Sequence, residues 1–134
     1  MLVTTNDYIE TVNFYDDRYR LIQSKVVNYK DGEDVISSQY DFAGRLRKTH
    51  LLHSNPAADI TSTKVVQEYS YDHAGRLLTV THKAENDPTV TLLSNTYNEL
   101  GELVHKDLAD GYEDIDYTYN IRGWLTKINN LSDG

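Results

Sequence analysis

Tyr71-Asp72-His73-Ala74-Gly75-Arg76-Leu77 decides the reading of this chain, because the same pattern recurs. It stands earlier as Tyr40-Asp41-Phe42-Ala43-Gly44-Arg45-Leu46. It returns in altered form as Tyr97-Asn98-Glu99-Leu100-Gly101-Glu102-Leu103 and Tyr119-Asn120-Ile121-Arg122-Gly123-Trp124-Leu125. Upstream, Tyr15-Asp16-Asp17-Arg18-Tyr19-Arg20-Leu21 keeps both ends and has Tyr19 where the others have glycine. The five tyrosines step by 25, 31, 26 and 22 residues. A fixed motif with a variable period marks a repeat whose length differences sit in the connecting loops.

The motif has the chemistry of a tight turn. Asp or Asn after the Tyr is suited to accept a backbone N–H two residues on. Gly three residues later suits a left-handed residue that closes the turn as a G1 bulge. Tyr and Leu then flank the turn, close enough to pack across a hairpin for roughly 0.2–1 kcal/mol. The structural turn residues are therefore Tyr40, Asp41, Gly44 and Leu46; Tyr71, Asp72, Gly75 and Leu77; Tyr97, Gly101 and Leu103; and Tyr119, Gly123 and Leu125. A bulky Tyr19 resists positive φ, so the first turn is expected to differ in shape or to be the least regular. Arg45 and Arg76 read as solvated cations beside the turn aspartates, since Glu102 and Trp124 take the same place elsewhere.

Around each motif the residues read as strands. Tyr8–Tyr15, Leu21–Asn28, Val35–Tyr40, the run from Leu46, Thr61–Tyr71, Leu77–Thr81, Val90–Tyr97, Leu103–Lys106, Ile115–Tyr119 and Leu125–Ile128 are rich in β-branched and aromatic residues. Ile115, Tyr117 and Tyr119 alternate with Asp114, Asp116 and Thr118, the period of a half-buried strand. Asp31-Gly32 and Asp110-Gly111 are type I′ turn signals. His53–Asp59 and Glu85–Pro88, each with a proline, read as loops. A helix over Pro56–Ser62 would be too short to stand alone. The expected fold is all-β: an antiparallel meander of about five hairpins and ten strands in a twisted, curved sheet, with residues 1–134 as one array.

Composition narrows the function. The 134 residues carry a formal net charge of −8, which argues against phosphate-backbone binding and against an anionic membrane face. The expectation is therefore no nucleic acid and no membrane insertion, and no apolar run approaches the roughly 20 residues of a spanning helix. Eleven Tyr stand against 2 Phe and 1 Trp, which suits half-buried strand faces with a wet hydroxyl. There is no cysteine, so redox compartment is not legible. The first residues lack the basic and apolar regions of a signal peptide.

Tyr-Asp-x-x-Gly-Arg-Leu, repeated with strands on both sides, resembles the YD repeat of the Rhs (rearrangement hotspot) family. Copies 40–46 and 71–77 match throughout; 97–103 and 119–125 match with Asn for Asp and a changed residue after Gly. The resemblance spans about residues 8–130. It implies that the chain is a segment of a larger spiral β-shell, a container that does no chemistry itself. In bacterial members the shell encloses a C-terminal toxin. It further implies neighbouring YD repeats of a parent chain as partners, and an extracellular or cell-envelope location for that parent.

Other chemistry leaves no pattern. His50, His53, His73, His82 and His105 form no zinc motif, no phosphate loop or nucleophile elbow occurs, and the expectation is no catalytic residue, no cofactor and no metal. His50 and His53 could share a metal only if their loop folded back. Asp107, Asp110, Glu113, Asp114 and Asp116 lack calcium-loop spacing and read as a solvated acidic loop. The competing functional expectation is a cell-surface module binding glycans or proteins, with Tyr117, Tyr119 and Trp124 as a stacking platform. An isolated array also has two open edge strands, which are expected to pair into edge-to-edge dimers.

Overall fold

The computed structural model describes residues 9–27, 32–56 and 62–129. They form ten strands and no helix: β1 Glu10–Tyr15, β2 Leu21–Val27, β3 Glu33–Tyr40, β4 Leu46–Ser54, β5 Ser62–Tyr71, β6 Leu77–Ala84, β7 Val90–Tyr97, β8 Leu103–Leu108, β9 Glu113–Tyr119 and β10 Leu125–Ile128. Strand order in the sheet follows chain order from β1 to β10, and the paired strands run antiparallel. The meander of five motif hairpins is therefore present; β3, β6, β8 and β9 run longer than the residue pattern marks, and β7 and β10 match it. Asp31 and residues 57–59 of the 53–59 loop lie outside the described residues, and His53 and Ser54, expected in that loop, instead end β4.

Contacts group the chain into two compact units. The first holds the described residues up to 67 together with 83–87, and the second holds 68–82 and everything described from 88 on. In the first, β2 pairs β3 in unbroken register from Gln23↔Ser37 to Val27↔Glu33, and β3 pairs β4 from Glu33↔Ser54 to Gln39↔Lys48. In the second, β6 pairs β7, β7 pairs β8, and β8 pairs β9.

At the motif hairpins the register slips beside the tyrosine, leaving Tyr15 opposite Leu21, Tyr40 opposite Leu46 and Tyr97 opposite Leu103. Tyr119 likewise faces Leu125. That slip is the bulge that a left-handed glycine introduces. Gly44, Gly75, Gly101 and Gly123 have φ between 75° and 86°.

Two turn expectations are corrected. Tyr19 does not distort the first turn: it takes φ 59° and its N–H reaches the Asp16 carbonyl at 3.1 Å, as Gly44 N–H reaches Asp41 at 3.0 Å. The ring is left in solvent, so the cost is confined to the backbone. The Asp110-Gly111 turn is wider than a two-residue type I′. Ala109, Asp110 and Gly111 all have positive φ, Tyr112 N–H bonds the Leu108 carbonyl, and Asp107 Oδ1 accepts the Gly111 N–H at 2.7 Å. The side chain of Asp107 stabilises a third left-handed residue that the dipeptide alone does not indicate.

No described side chain, apolar or polar, is fully buried. Along β9 the residues alternate as the pattern predicts, with Ile115, Tyr117 and Tyr119 half-buried and their neighbours exposed. Each unit is thus held by its hydrogen-bonded ladders and by side chains lying across them.

Candidate functional site

The features that repeat are the junctions between successive hairpins, and they begin inside each turn. In the first three copies the Asp carboxylate accepts the backbone N–H of the Arg four residues on: Arg20 to Asp16 at 2.9 Å, Arg45 to Asp41 at 2.8 Å, Arg76 to Asp72 at 2.9 Å. The same arginine closes a second bond from Nε to the other carboxylate oxygen at 2.6 to 2.7 Å. The backbone N–H is the main cause that lowers the pKa of Asp16, Asp41 and Asp72; partial desolvation opposes it and the guanidinium adds to it.

In the fourth copy the partners exchange roles. Asn98 Oδ1 still accepts the backbone N–H of Glu102 at 2.9 Å, but its amide donates to Glu102 Oε2 at 2.7 Å. The substitution of Asn for Asp and of Glu for Arg is one event in chemical terms. In the fifth copy Asn120 Oδ1 accepts Trp124 N–H at 3.0 Å, and Trp124 has no carboxylate or amide to offer in return.

Three of the turns are tied to the next hairpin within their unit. Within the first unit Tyr40 donates its hydroxyl to the Leu21 carbonyl at 3.0 Å. Within the second, Tyr97 donates to Leu77 and Tyr119 to Leu103, both at 2.9 Å. The Arg that binds its own Asp also reaches forward. Arg20 lies 5.1 Å from the Tyr40 ring centre and its Nη1 is 3.4 Å from the Asp41 carbonyl. Arg76 lies 4.5 Å from the Tyr97 ring centre. Arg45 and Arg76 thus sit beside their turn aspartates as the sequence suggests, and Arg20 and Arg76 in addition each bridge two hairpins through a cation–π contact.

The glycines have a second reason to be glycine. A side-chain carbon at Gly101 would lie 2.6 Å from Arg76 Nη1, and one at Gly123 would lie 2.9 Å from Glu102 Oε1. The long side chain of one motif covers the bare backbone of the next. A signal for this was present: the residue after Gly is long, and the motif begins with Tyr and never with Phe. A hydroxyl is needed only if something beyond the hairpin accepts it.

The residues singled out for surface binding differ in exposure. Tyr117 and Tyr119 are half-buried, with the Tyr119 hydroxyl bound to Leu103. Trp124 is 64% exposed, with the Arg122 guanidinium 5.6 Å from its ring centre. Tyr71 and Leu77 are half-buried at their turn.

His53 pairs with Asp34 across β3 and β4, and His50 stands opposite Ser37. His105 Nδ1 meets Asp116 at 2.8 Å and its Nε2 lies 3.7 Å from Asp114. The hydrogen bond to Asp116, aided by the charges of Asp116, Asp114 and Asp107, raises the His105 pKa above its ordinary value. An open depression of about 330 Å³ is lined by Lys64, Val66, Lys83 and Glu85, with Glu85 Oε1 accepting the Lys64 N–H at 2.6 Å. Among the described residues no three His, Asp or Glu side chains group as a metal ion would require. The chain matches no family model and no curated protein.

Proposed function

We propose that this chain is a structural, non-catalytic array: a segment of the β-shell of a bacterial Rhs/YD-repeat protein, of the kind that encloses a C-terminal toxin. The observation that carries the reading is the hairpin junction. A Tyr hydroxyl on the preceding Leu carbonyl recurs three times, and the residue after Gly repeatedly covers the next motif. Such contacts serve to hold neighbours in register. The parent protein is then extracellular or part of the cell envelope, and the neighbours of the array are further YD repeats.

The test uses the full reading frame that contains this array. A downstream domain that resists protease while joined to the array, and is digested when expressed alone, supports enclosure. A downstream domain equally sensitive in both settings, or none, overturns it.

The second reading is a glycan- or protein-binding surface, supported by the exposure of Trp124. Screening the chain against a glycan array, with Trp124→Ala as control, decides it: binding lost in the variant supports the reading, and no binding by either protein removes it.

A further inference from the structure

We infer that the second unit presents an apolar sheet face that packs against the same face of a second copy of this chain. Such packing is a property of the chain itself and does not depend on whether the array encloses another domain.

Register decides which residues share a face, because residues directly opposite in a ladder point to the same side. Val80 stands opposite Leu93, and Leu93 opposite Leu108. Lys106 lies between Asn95 and Ile115, Leu108 faces Glu113, and Tyr117, two residues on from Ile115, faces Ile128. One side of β6–β10 therefore carries Val80, Leu93, Leu108, Ile115, Tyr117 and Ile128. The other side carries Thr79, Ser94 and Thr96, then the carboxylates of Asp107, Asp114 and Asp116 with His105 and Lys127. A sheet with one apolar face is stabilised when another layer covers it. Among the described residues no side chain is fully buried, and Ile128 stays 54% exposed.

Charge selects the occupant. Lys106, half-buried, and Glu113, exposed, bring opposite signs to the apolar side. They are diagonal neighbours on β8 and β9, since Lys106 faces Ile115 and Glu113 lies two residues before it. A two-fold axis lying in the interface between them sets Lys106 of each copy over Glu113 of the other, the self-complementarity that a two-fold interface requires. The other side would set Asp107, Asp114 and Asp116 against themselves, and like charges brought together oppose association. Five strands spaced about 4.8 Å apart, with about six residues each at about 3.4 Å, give a face roughly 20 Å square. An interface of that size is at the small end of those that hold, so the expected dissociation constant is about 10–100 μM.

Sedimentation equilibrium of the full chain over about 1–500 μM tests this. Expected is a monomer–dimer equilibrium. Lys106→Glu and Glu113→Lys should each weaken it at least about tenfold by setting like charges together, and the double variant should return to within about threefold of the parent. Thr118→Asp, on the other face, should leave the dimer unchanged. Glu113 is exposed, so Glu113→Lys keeps the test open even if Lys106→Glu fails to fold. A parent chain that stays monomeric at about 500 μM overturns the inference. So does a dimer indifferent to Glu113→Lys, the result expected if open edge strands pair instead. A folded double variant that dimerises no better than the single changes overturns it as well.

Discussion

Tyr97 on β7 donates its hydroxyl to the carbonyl of Leu77 on β6, 2.9 Å away, while Arg76 lies over its ring. One side chain thus closes the outward backbone of the preceding hairpin and receives that hairpin's cation. Tyr97→Phe removes the hydroxyl and leaves the ring. It is expected to lower stability by about 0.5–1.5 kcal/mol in urea unfolding, the usual net worth of such a bond. The same change at Tyr15, for which no hydroxyl partner lies on an earlier described hairpin, should have almost no effect.

The glycines should not be equal. Gly44→Ala, Gly101→Ala and Gly111→Ala all place a side chain at a left-handed residue, costing roughly 1–2 kcal/mol each. At Gly111 nothing lies within 4 Å and at Gly44 the nearest atom is at 3.9 Å, so the cost should stop there. At Gly101 the Arg76 guanidinium must also move off, and its contact with Tyr97 adds about 0.5–1 kcal/mol. Denaturant midpoints ordered Gly101→Ala below the other two would bear this out; three equal midpoints would refute it.

Tyr19→Gly should do the reverse. The left-handed strain of a non-glycine residue disappears, and a ring that is 90% exposed gives up little contact. A gain of about 1 kcal/mol is expected after the larger backbone entropy of glycine in the unfolded chain is allowed for. Thermal unfolding of the variant at or below the parental Tm would count against this account of the first turn.

Stability should fall toward both ends of the pH scale for separate reasons. Asp16, Asp41 and Asp72 have pKa values below the ordinary 3.8, held there first by the backbone N–H of the Arg in the same turn. Their contribution is complete above pH 3.8 and is lost as pH falls through the lower folded values. His105 is shifted the other way, above 6.5, chiefly by its hydrogen bond to Asp116. Its contribution is complete below pH 6.5 and is lost as pH rises through the raised value. A Tm profile across pH should therefore show an upper decline that His105→Gln abolishes and an acid decline that it leaves in place.

The architecture was legible because turn chemistry is local. Asp72 and Gly75 sit three residues apart and specify a bulged turn by themselves; the alternation of Ile115, Tyr117 and Tyr119 specifies a strand by itself. What was not legible lies between hairpins. The partner of Arg76 is Tyr97, and no rule of local spacing links an arginine to a ring in the next hairpin. The width of the Asp110-Gly111 turn is not readable from the dipeptide because Asp107, outside it, adds a bond to Gly111. Tyr19 holds a regular turn because steric reluctance is a cost and not a prohibition, and the hydrogen bonds of Asp16 outweigh it.

The exchange of Asp72 and Arg76 for Asn98 and Glu102 also restricts how such a turn can change over generations. Altering the arginine first would set a glutamate against an aspartate, two carboxylates within bonding distance at the mouth of a turn. Altering the aspartate first leaves asparagine beside arginine, where Oδ1 keeps the backbone N–H and the bond to the guanidinium is lost without setting like charges together. The tolerated route from one form to the other therefore runs through Asn with Arg, and an Asp with Glu intermediate should be rare wherever turns of this kind have diverged.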